Sequence, residues 1–231
     1  MTPAKRVANA LGAAVLESAR ILGRPVAPLM PVTGPVHVLL VGEAPGPRGA
    51  DKSGFPFFGD AAGKSLYHVL VRMGAVELPP LVDALPWDGT RFHDAGLRPV
   101  AHGIALGNAF DRCPTDDGKS FRAPARVELE GPENVQRLAA ELEALRARGL
   151  RGLVTLGRVA TRTMDVVLSH APMPELTRHA LPHPSAQGLL SMAPGRGKGA
   201  RMQDLQNEWM ARCRHLIVEA GYPAPHLDVT R

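Results

Sequence analysis

The chain has 231 residues, of which 45% are hydrophobic and 21% are charged, so it can bury the core of one domain and is not compositionally disordered. No apolar run approaches the roughly 18 residues that a membrane helix needs. The two cysteines, Cys113 and Cys213, provide neither a disulfide framework nor a four-thiolate metal site. We therefore expect a cytoplasmic protein that does not enter the membrane.

The charge balance is basic, with 27 Lys and Arg residues against 22 Asp and Glu, a net charge of +5 and a pI of about 9.7. Arginine supplies 22 of these cations and lysine only five. Arginine binds phosphate through paired hydrogen bonds and stacks on bases, so this surface favours nucleic acid. A genome rich in G and C produces the same excess of arginine, so composition alone leaves the partner open.

The predicted elements alternate between helices and short apolar strands. In chain order they are a helix over 3–22, a strand at 36–42 (VHVLLVG), a helix over 61–74 capped by Asp60, a strand at 103–110 (GIALGNAF), a helix over 134–148, a strand at 152–157 (GLVTLG), a helix over 158–169, a strand at 176–181 and a helix over 202–220.

Four such strands alternating with helices predict an α/β fold, a three-layer αβα sandwich with a central four-stranded parallel sheet. We expect one domain over residues 1–231, with a core at about 34–220 and the N-terminal helix packed on it. Residues 79–99 carry no regular pattern and are predicted to be irregular. In sheets of this kind ligands bind beyond the carboxyl ends of the strands, which selects the segments 42–59, 108–113, 157–160 and 182–186.

The segment 42–59 has five glycines and three prolines, which is typical of a loop whose backbone approaches a ligand closely. It also contains Phe57 and Phe58, which either pack in the core or face a flat ligand. The following AAGKS (61–65) is similar to the end of a phosphate-binding P-loop. However, that motif needs a glycine five residues before Gly63, and this position is occupied by Phe58. Nucleotide triphosphate binding is therefore not predicted.

Three motifs together resemble the uracil-DNA glycosylase superfamily. GEAPG at 42–46 followed by GFPFFGDAAG at 54–63 looks like its first motif and is most similar to the family 4 and family 5 branches. GNAFDRCP (107–114) resembles their strand-end T-N-x-V-K-C-R-P, and LPHPSA (181–186) resembles their P-H-P-S-P segment. The resemblance covers about residues 34–220, and each motif follows a predicted strand.

The cysteines depart from the pattern of these branches, and position 44 departs from that of the best-known branch of the superfamily. Families 4 and 5 hold a four-iron, four-sulfur cluster with four cysteines, whereas here only Cys113 falls at a ligand position. A single thiolate cannot hold such a cluster, so we expect no iron–sulfur cluster, no other cofactor and no metal site. Position 44, where the best-known branch places its water-activating aspartate, is Ala44, which matches family 4 but leaves the water-activating group open.

The resemblance implies a role for each residue at the strand ends. Glu43 and His183 are the expected catalytic residues, the former orienting water or stabilising the sugar cation and the latter donating a hydrogen bond to the departing base. The expected base-binding residues are Gly42, Ala44, Phe57 and Asn108, with Phe57 stacking on the base and Asn108 reading its edge. Without that context, Asn108 is also a turn former, His183 a turn cap and Glu43 an ion-pair partner.

DNA contacts are expected after the last motif. Ser185 is placed to bond a phosphate. Leu189 and Leu190, which are expected to be exposed after Gly188, could wedge into the base stack. Arg196, Lys198 and Arg201 lie on or beside a glycine-rich loop that can follow the DNA backbone, or that is simply a flexible surface loop.

The sequence thus favours a monomeric, monofunctional DNA glycosylase that excises uracil or another deaminated base during base excision repair. The alternative is a catalytically weak or inactive DNA-binding protein of the same fold, which the missing cluster cysteines and Ala44 favour. A hydrolase of small nucleotides or acyl esters is a third alternative, for which no motif is present.

Overall fold

The computed structural model describes residues 19–197 and 199–224. Its strands are β1 (Val38–Gly42), β2 (Val76–Glu77), β3 (Val100–Ala101), β4 (Ile104–Asn108), β5 (Gly152–Leu156) and β6 (Thr177–Leu181). Its helices are α1 (Ala50–Ser53), α2 (Ala61–Arg72), α3 (Gly89–Asp94), α4 (Arg126–Glu130), α5 (Pro132–Arg146), α6 (Arg158–His170), α7 (Ala186–Leu190) and α8 (Met202–Glu219).

Four of the strands form the predicted parallel sheet, in the order β4-β1-β5-β6. Side chains of β1, β4 and β5 are buried throughout, because helices cover both faces of the sheet. By contrast, Thr177, Arg178 and Ala180 of the edge strand β6 are exposed. The α/β, three-layer architecture expected from the sequence is therefore confirmed, although β6 is less buried than its neighbours.

The alternation of side chains along β1 divides the core into two layers. Val38 and Leu40 belong to the layer that contains apolar residues of α2 and α8. Leu39 and Val41 belong to the other layer, with apolar residues of α5 and α6. This is the period-two pattern expected of a strand buried on both faces.

Some segments differ from the sequence-based expectation. The loop 43–59 contains the short helix α1, and the segment 79–99, expected to be irregular, contains a 3₁₀ turn at Pro80–Ala84 and α3. Strands β2 and β3 flank the segment 79–99 in sequence and pair with each other as a separate antiparallel sheet. Most of the helix predicted over 3–22 lies outside the described residues, and residues 20–22 are not helical.

The register places the predicted functional segments at one edge of the sheet. Gly42 at the end of β1 is opposite Asn108 at the end of β4, and Leu156 at the end of β5 is opposite Leu181 at the end of β6. Because the strands are parallel, the loops that follow them all begin at this edge, which we call the carboxyl edge. Over the described ranges, no helix is both long and apolar enough to span a bilayer.

Candidate active site

Gly42 and Asn108 end neighbouring strands, and the ring of Phe57 packs on Gly42 beside the Asn108 amide. A Cβ atom added to Gly42 would lie 2.5 Å from Cζ of Phe57 and 3.1 Å from Oδ1 of Asn108. Only glycine therefore lets the ring and the amide approach the end of β1 this closely. The structure thus brings together three of the residues predicted to bind a base.

Phe57 has an unusual backbone conformation, with φ of 62° in the left-handed region. For a bulky side chain this conformation is strained, and it persists only where the surroundings enforce it. One such constraint is α2, because a Cβ atom at Gly63 in its first turn would collide with the Phe57 carbonyl oxygen. The ring position is therefore fixed, and Phe57 is only 5% exposed.

The Asn108 side chain is also buried, with 4% of the residue exposed. Its Nδ2 has no hydrogen-bond partner among the described residues. A buried donor without a partner costs about 1–3 kcal/mol, and most buried polar groups do find one. A turn-forming asparagine would bond to its own backbone, so the unpartnered amide favours recognition of a ligand over that alternative.

Helix α5 fixes the backbone around Asn108. Asn134 Nδ2 donates to the carbonyl oxygens of Ala109 at 2.9 Å and Leu129 at 2.8 Å. Arg137 Nη2 donates to the same Ala109 oxygen at 3.0 Å and to that of Asn108 at 3.4 Å. Neither side chain was expected from the sequence to have a role, although an amide and a guanidinium one turn apart at the start of a helix were a usable signal.

Glu43 follows Gly42 directly and continues the pairing of β1 with the chain after β4. Its carbonyl oxygen accepts from the N–H of Phe110 at 2.9 Å, and that of Gly42 accepts from Ala109 at 2.8 Å. The Glu43 side chain is half-buried, and burial raises the pKa of its carboxyl group. Ala44, the next residue, is half-buried as well.

His183 lies beyond β6 at the other end of the carboxyl edge. The backbone N–H of Ser185 donates to His183 Nδ1 at 3.2 Å, so the neutral ring carries its proton on Nε2. Burial lowers the pKa of His183, which favours this neutral form near pH 7. The side chain is therefore a neutral hydrogen-bond donor.

Two glycines and one tryptophan fix the backbone of this loop. A Cβ atom at Gly157, which has φ of 96°, would lie 3.2 Å from Cβ of His183, and one at Gly188 would collide with the His183 carbonyl oxygen. Trp209 Nε1 of α8 donates to the Pro182 carbonyl oxygen at 2.8 Å.

The structure changes one of the expected DNA contacts. Leu189 is 2% exposed and packs in the same core layer as Trp209 and Leu205 of α8, so the prediction that it is an exposed wedge is wrong. The reason is that α7 turns this side chain inward onto α8. The neighbouring Leu190 is half-buried against the same core.

The other expected DNA contacts are polar. Ser185 is the N-cap of α7, where its side chain accepts from the N–H of Gly188 at 3.4 Å, which leaves its hydroxyl proton available for an acceptor. Arg201 is exposed immediately before α8. The side chain of Arg196 and all of Lys198 lie outside the described residues.

The cysteines do not fit an iron–sulfur cluster. Both Cys113 and Cys213 are buried, and burial raises the pKa of each thiol to about 12, away from the thiolate form that binds metal. Across residues 19–197 and 199–224, no group of three or more His, Cys, Asp and Glu side chains is placed to hold a metal ion. A four-iron cluster needs four thiolates and the sequence has two cysteines.

Residues 20–23, which lie near Cys113, are held against α1 by polar contacts. The Asp51 carboxylate accepts from the backbone N–H groups of Leu22 at 2.9 Å and Gly23 at 2.8 Å. Lys52 donates to the Arg20 carbonyl oxygen, and its Nζ lies 3.3 Å from the Asp51 carboxylate. This buried pair links residues 20–23 to α1.

The profile of the uracil DNA glycosylase superfamily matches residues 32–207, which span the sheet and both ends of the carboxyl edge. The chain belongs to this superfamily. The match includes Glu43, Phe57, Asn108 and His183.

Among individual proteins, the chain is similar to the type-5 uracil-DNA glycosylase of Thermus thermophilus, with 31% identity over 136 residues. That alignment covers 58% of this chain and 50% of the relative, so the chain spans half the length of that protein.

Two solved structures are also similar to this chain. A proposed uracil DNA glycosylase from Methanosarcina acetivorans aligns with a TM-score of 0.42 and 15% identity, over 84% of this chain and 98% of that one. The wild-type SMUG2 protein of Pedobacter heparinus aligns with a TM-score of 0.44 and 13% identity, over 80% and 77%.

Proposed function

We propose that the protein is a monofunctional DNA glycosylase, which removes uracil or another deaminated base from DNA by base flipping and hydrolysis of the N-glycosidic bond. The observation that carries this proposal is the buried, unpartnered Nδ2 of Asn108 beside the ring of Phe57. A flat base with hydrogen-bonding groups on its edge would satisfy both side chains at once. Membership of the superfamily supports the same function.

Asn108 would read the edge of the base. Its Nδ2 would donate to O4 of uracil while its Oδ1 accepts from N3–H, since an amide offers both a donor and an acceptor. Phe57 would stack on the base. The backbone of Gly42 and Ala44 would line the pocket beside that ring.

His183 would stabilise the leaving group. As the glycosidic bond breaks, negative charge develops on O2 of the base, and Nε2–H of the neutral imidazole would donate to it. The bond from the Ser185 N–H to Nδ1 fixes the tautomer that this step needs.

Glu43 would act on the sugar side of the scissile bond. Its partly desolvated carboxylate attracts a developing oxocarbenium ion more strongly than a fully hydrated one would, and it can also accept a hydrogen bond from the attacking water. We assign it both roles because it follows Gly42 directly, next to the base-binding group.

On the DNA surface, we propose that Ser185 bonds a phosphate and that Arg201, with Arg196 and Lys198, follows the backbone. We also propose that the enzyme works without an iron–sulfur cluster. Purified protein should then be colourless and free of iron, whereas stoichiometric iron with a broad absorbance near roughly 400 nm would contradict this part of the proposal.

The function can be tested with labelled oligonucleotides that each contain one uracil, hypoxanthine or xanthine, with an undamaged strand as control. A monofunctional glycosylase leaves an abasic site, so strand cleavage should occur only after heating in alkali. If the protein prefers uracil-containing DNA but excises no base, the alternative of an inactive DNA-binding protein is correct. If it neither binds nor cuts DNA, both proposals fail.

A further inference from the structure

Asp60 occupies the N-cap position of α2, but its carboxylate does not cap that helix. Instead Oδ2 accepts from the N–H of Ala50 at 3.2 Å, and the backbone of Gly46 and Gly49 lies against the carboxylate, where their N–H groups act to lower its pKa. A Cβ atom on either glycine would collide with it. The carboxylate therefore binds the backbone of residues 43–50, which we call the catalytic loop because it begins with Glu43.

The main chain of Asp60 makes two further contacts. Its N–H donates to the carbonyl oxygen of Phe57 at 3.3 Å, and its own carbonyl oxygen accepts from Trp87 Nε1 at 2.7 Å. One residue thus bonds to the catalytic loop through its side chain and to the base-stacking residue through its backbone.

The charged and titratable groups that interact with this carboxylate lie on three segments. Burial raises the pKa of Asp60, and the charge of Asp51 on α1 adds to this increase. Burial also raises the pKa values of Tyr67 on α2 and of Cys113, and the charge of Asp60 adds to both. Lys52 on α1 is paired with Asp51. Backbone N–H groups, rather than a cation, therefore compensate the charge of Asp60.

Ionisation of Asp60 works against folding stability. Burial raises its pKa from 3.8 to about 6, so the folded chain holds the proton more tightly than the unfolded chain does. Stability from this group is therefore greatest at low pH and falls as the pH rises through about 4 to 6. The same ionisation strengthens the bond from the N–H of Ala50 and the attraction to the N–H groups of Gly46 and Gly49, because charged acceptors bind more strongly than neutral ones. A charge kept at a cost to stability is typical of a functional role.

We propose that Asp60 is a positioning residue whose carboxylate fixes the catalytic loop, and with it Glu43, relative to the ring of Phe57. The inference rests on the proposed function and extends it to a residue that touches neither the base nor the sugar. Fixing a catalytic group in place contributes to the rate and little to the affinity for substrate.

The substitution Asp60→Asn tests this role, with Asp117→Asn as its matched control. The new amide would place a donor against backbone N–H donors and so release the loop. Asp117 lies outside the catalytic loop, and its Oδ1 likewise accepts from backbone N–H groups, those of Lys119 and Ser120, each at 2.7 Å. We expect kcat of D60N to fall about tenfold or more with KM within a fewfold, since one lost hydrogen bond of about 1.4 kcal/mol corresponds to a factor of ten. D117N should keep the parent rate.

The pH profile separates positioning from a general structural role. Glu43 and His183 titrate in both proteins, so the ratio of kcat/KM between parent and D60N isolates Asp60. This ratio should be largest above about pH 7 and approach one below about pH 5, where the parent carboxyl is protonated and resembles the amide. A ratio that stays constant with pH, together with a lower melting temperature, would mean that Asp60 only supports the fold.

Hydrogen exchange gives a readout that does not depend on activity. The amides of Gly46, Gly49 and Ala50 should exchange about tenfold faster in D60N than in the parent, while the amides of β1 stay protected. If the parent excises no base, this measurement still decides whether Asp60 holds the loop. Unchanged exchange at these three amides would overturn the proposal whatever the activity.

Discussion

The two ends of the carboxyl edge, around Asn108 and around His183, are held in different ways. At the Asn108 end, the contacts come from segments that are distant in sequence. The ring of Phe57 packs from the loop after β1, and Asn134 and Arg137 bond the backbone from α5. This end is therefore fixed by the tertiary structure as a whole.

At the His183 end, most contacts are local. Ser185 is two residues away and Gly188 five, and both belong to the same short loop and helix. Two contacts come from residues distant in sequence: Gly157 packs closely against His183, and the indole N–H of Trp209 donates a hydrogen bond to the Pro182 carbonyl oxygen. This end is therefore a short loop and helix that are bonded within themselves and seated on α8 through Leu189 and Trp209.

The difference fits the two tasks we propose. Reading a base requires an amide whose position is set before the base arrives, because selectivity is lost if the reader adapts to the wrong base. Stabilising a leaving group requires one donor that acts as the bond breaks. The predictions below test whether the two ends really differ in this way.

The largest expected effect is that of His183→Ala. If its hydrogen bond strengthens only as the base departs, its loss should reduce the rate of uracil excision by about a hundred- to a thousandfold. Affinity for uracil-containing DNA should stay within a fewfold. Single-turnover excision and equilibrium binding measure the two quantities separately.

Asn108→Ala is the comparison for that variant. It should reduce the rate and also the preference for uracil over other bases, because Asn108 acts before the chemical step. If His183→Ala excises as fast as the parent, or if both variants change selectivity equally, the proposed division between the two ends is wrong.

Sequence reasoning identified the architecture and the position of the site for a clear physical reason. The strands predicted at 36–42, 103–110 and 152–157 are continuous apolar runs, because the strands within them are buried on both faces, so the runs are easily recognised. Because the strands are parallel, their carboxyl ends had to meet at one edge, as Gly42 and Asn108 do.

What sequence reasoning missed depends on tertiary contacts. Leu189 lies in a five-residue helix, which is too short for periodicity to indicate its buried side. Asp60 was correctly placed before α2, yet its side chain bonds a loop ten or more residues away in place of the helix that local rules assign to it. Asn134 likewise acts on a carbonyl 25 residues earlier in the chain.

The second prediction concerns the packing that supports the His183 end. Leu189→Ala should lower the free energy of unfolding by about 2–5 kcal/mol, because it removes a buried side chain from the contact of α7 with α8. Leu190→Ala, at a half-buried position on the same helix, should cost less. Denaturant unfolding of both variants measures this. A DNA wedge would show the opposite pattern, with normal stability and weak excision.

The third prediction concerns the support of the Asn108 end. Asn134→Ala removes the side-chain donor to the Leu129 carbonyl oxygen and one of the two donors to the Ala109 carbonyl oxygen, which keeps its bond from Arg137. A buried acceptor left without its donor typically costs about 1–3 kcal/mol. If the lost hydrogen bonds allow Asn108 to move, the preference for uracil over other bases should fall, while the rate at saturating substrate should change less. Gln136→Ala, on the exposed side of the same helix, is the control and should change neither. Equal selectivity in both variants would show that α5 does not position Asn108.

The smallest expected effect is that of Arg201→Gln on DNA binding. Each cation that neutralises a phosphate contributes about one unit to the slope of log affinity against log salt concentration, so this variant should reduce the slope by about one. Arg151→Gln makes the same charge change immediately before β5, on the opposite edge of the sheet, and should leave the slope unchanged. The measurement requires DNA affinity at several salt concentrations between roughly 50 and 200 mM. Since Arg201 lies beyond the His183 loop and not beside Asn108, a lower slope for Arg201→Gln alone would place the bound backbone on the locally held end. Equal slopes for the two variants would instead mean that DNA binding depends on the total positive charge of the protein and not on a particular basic surface.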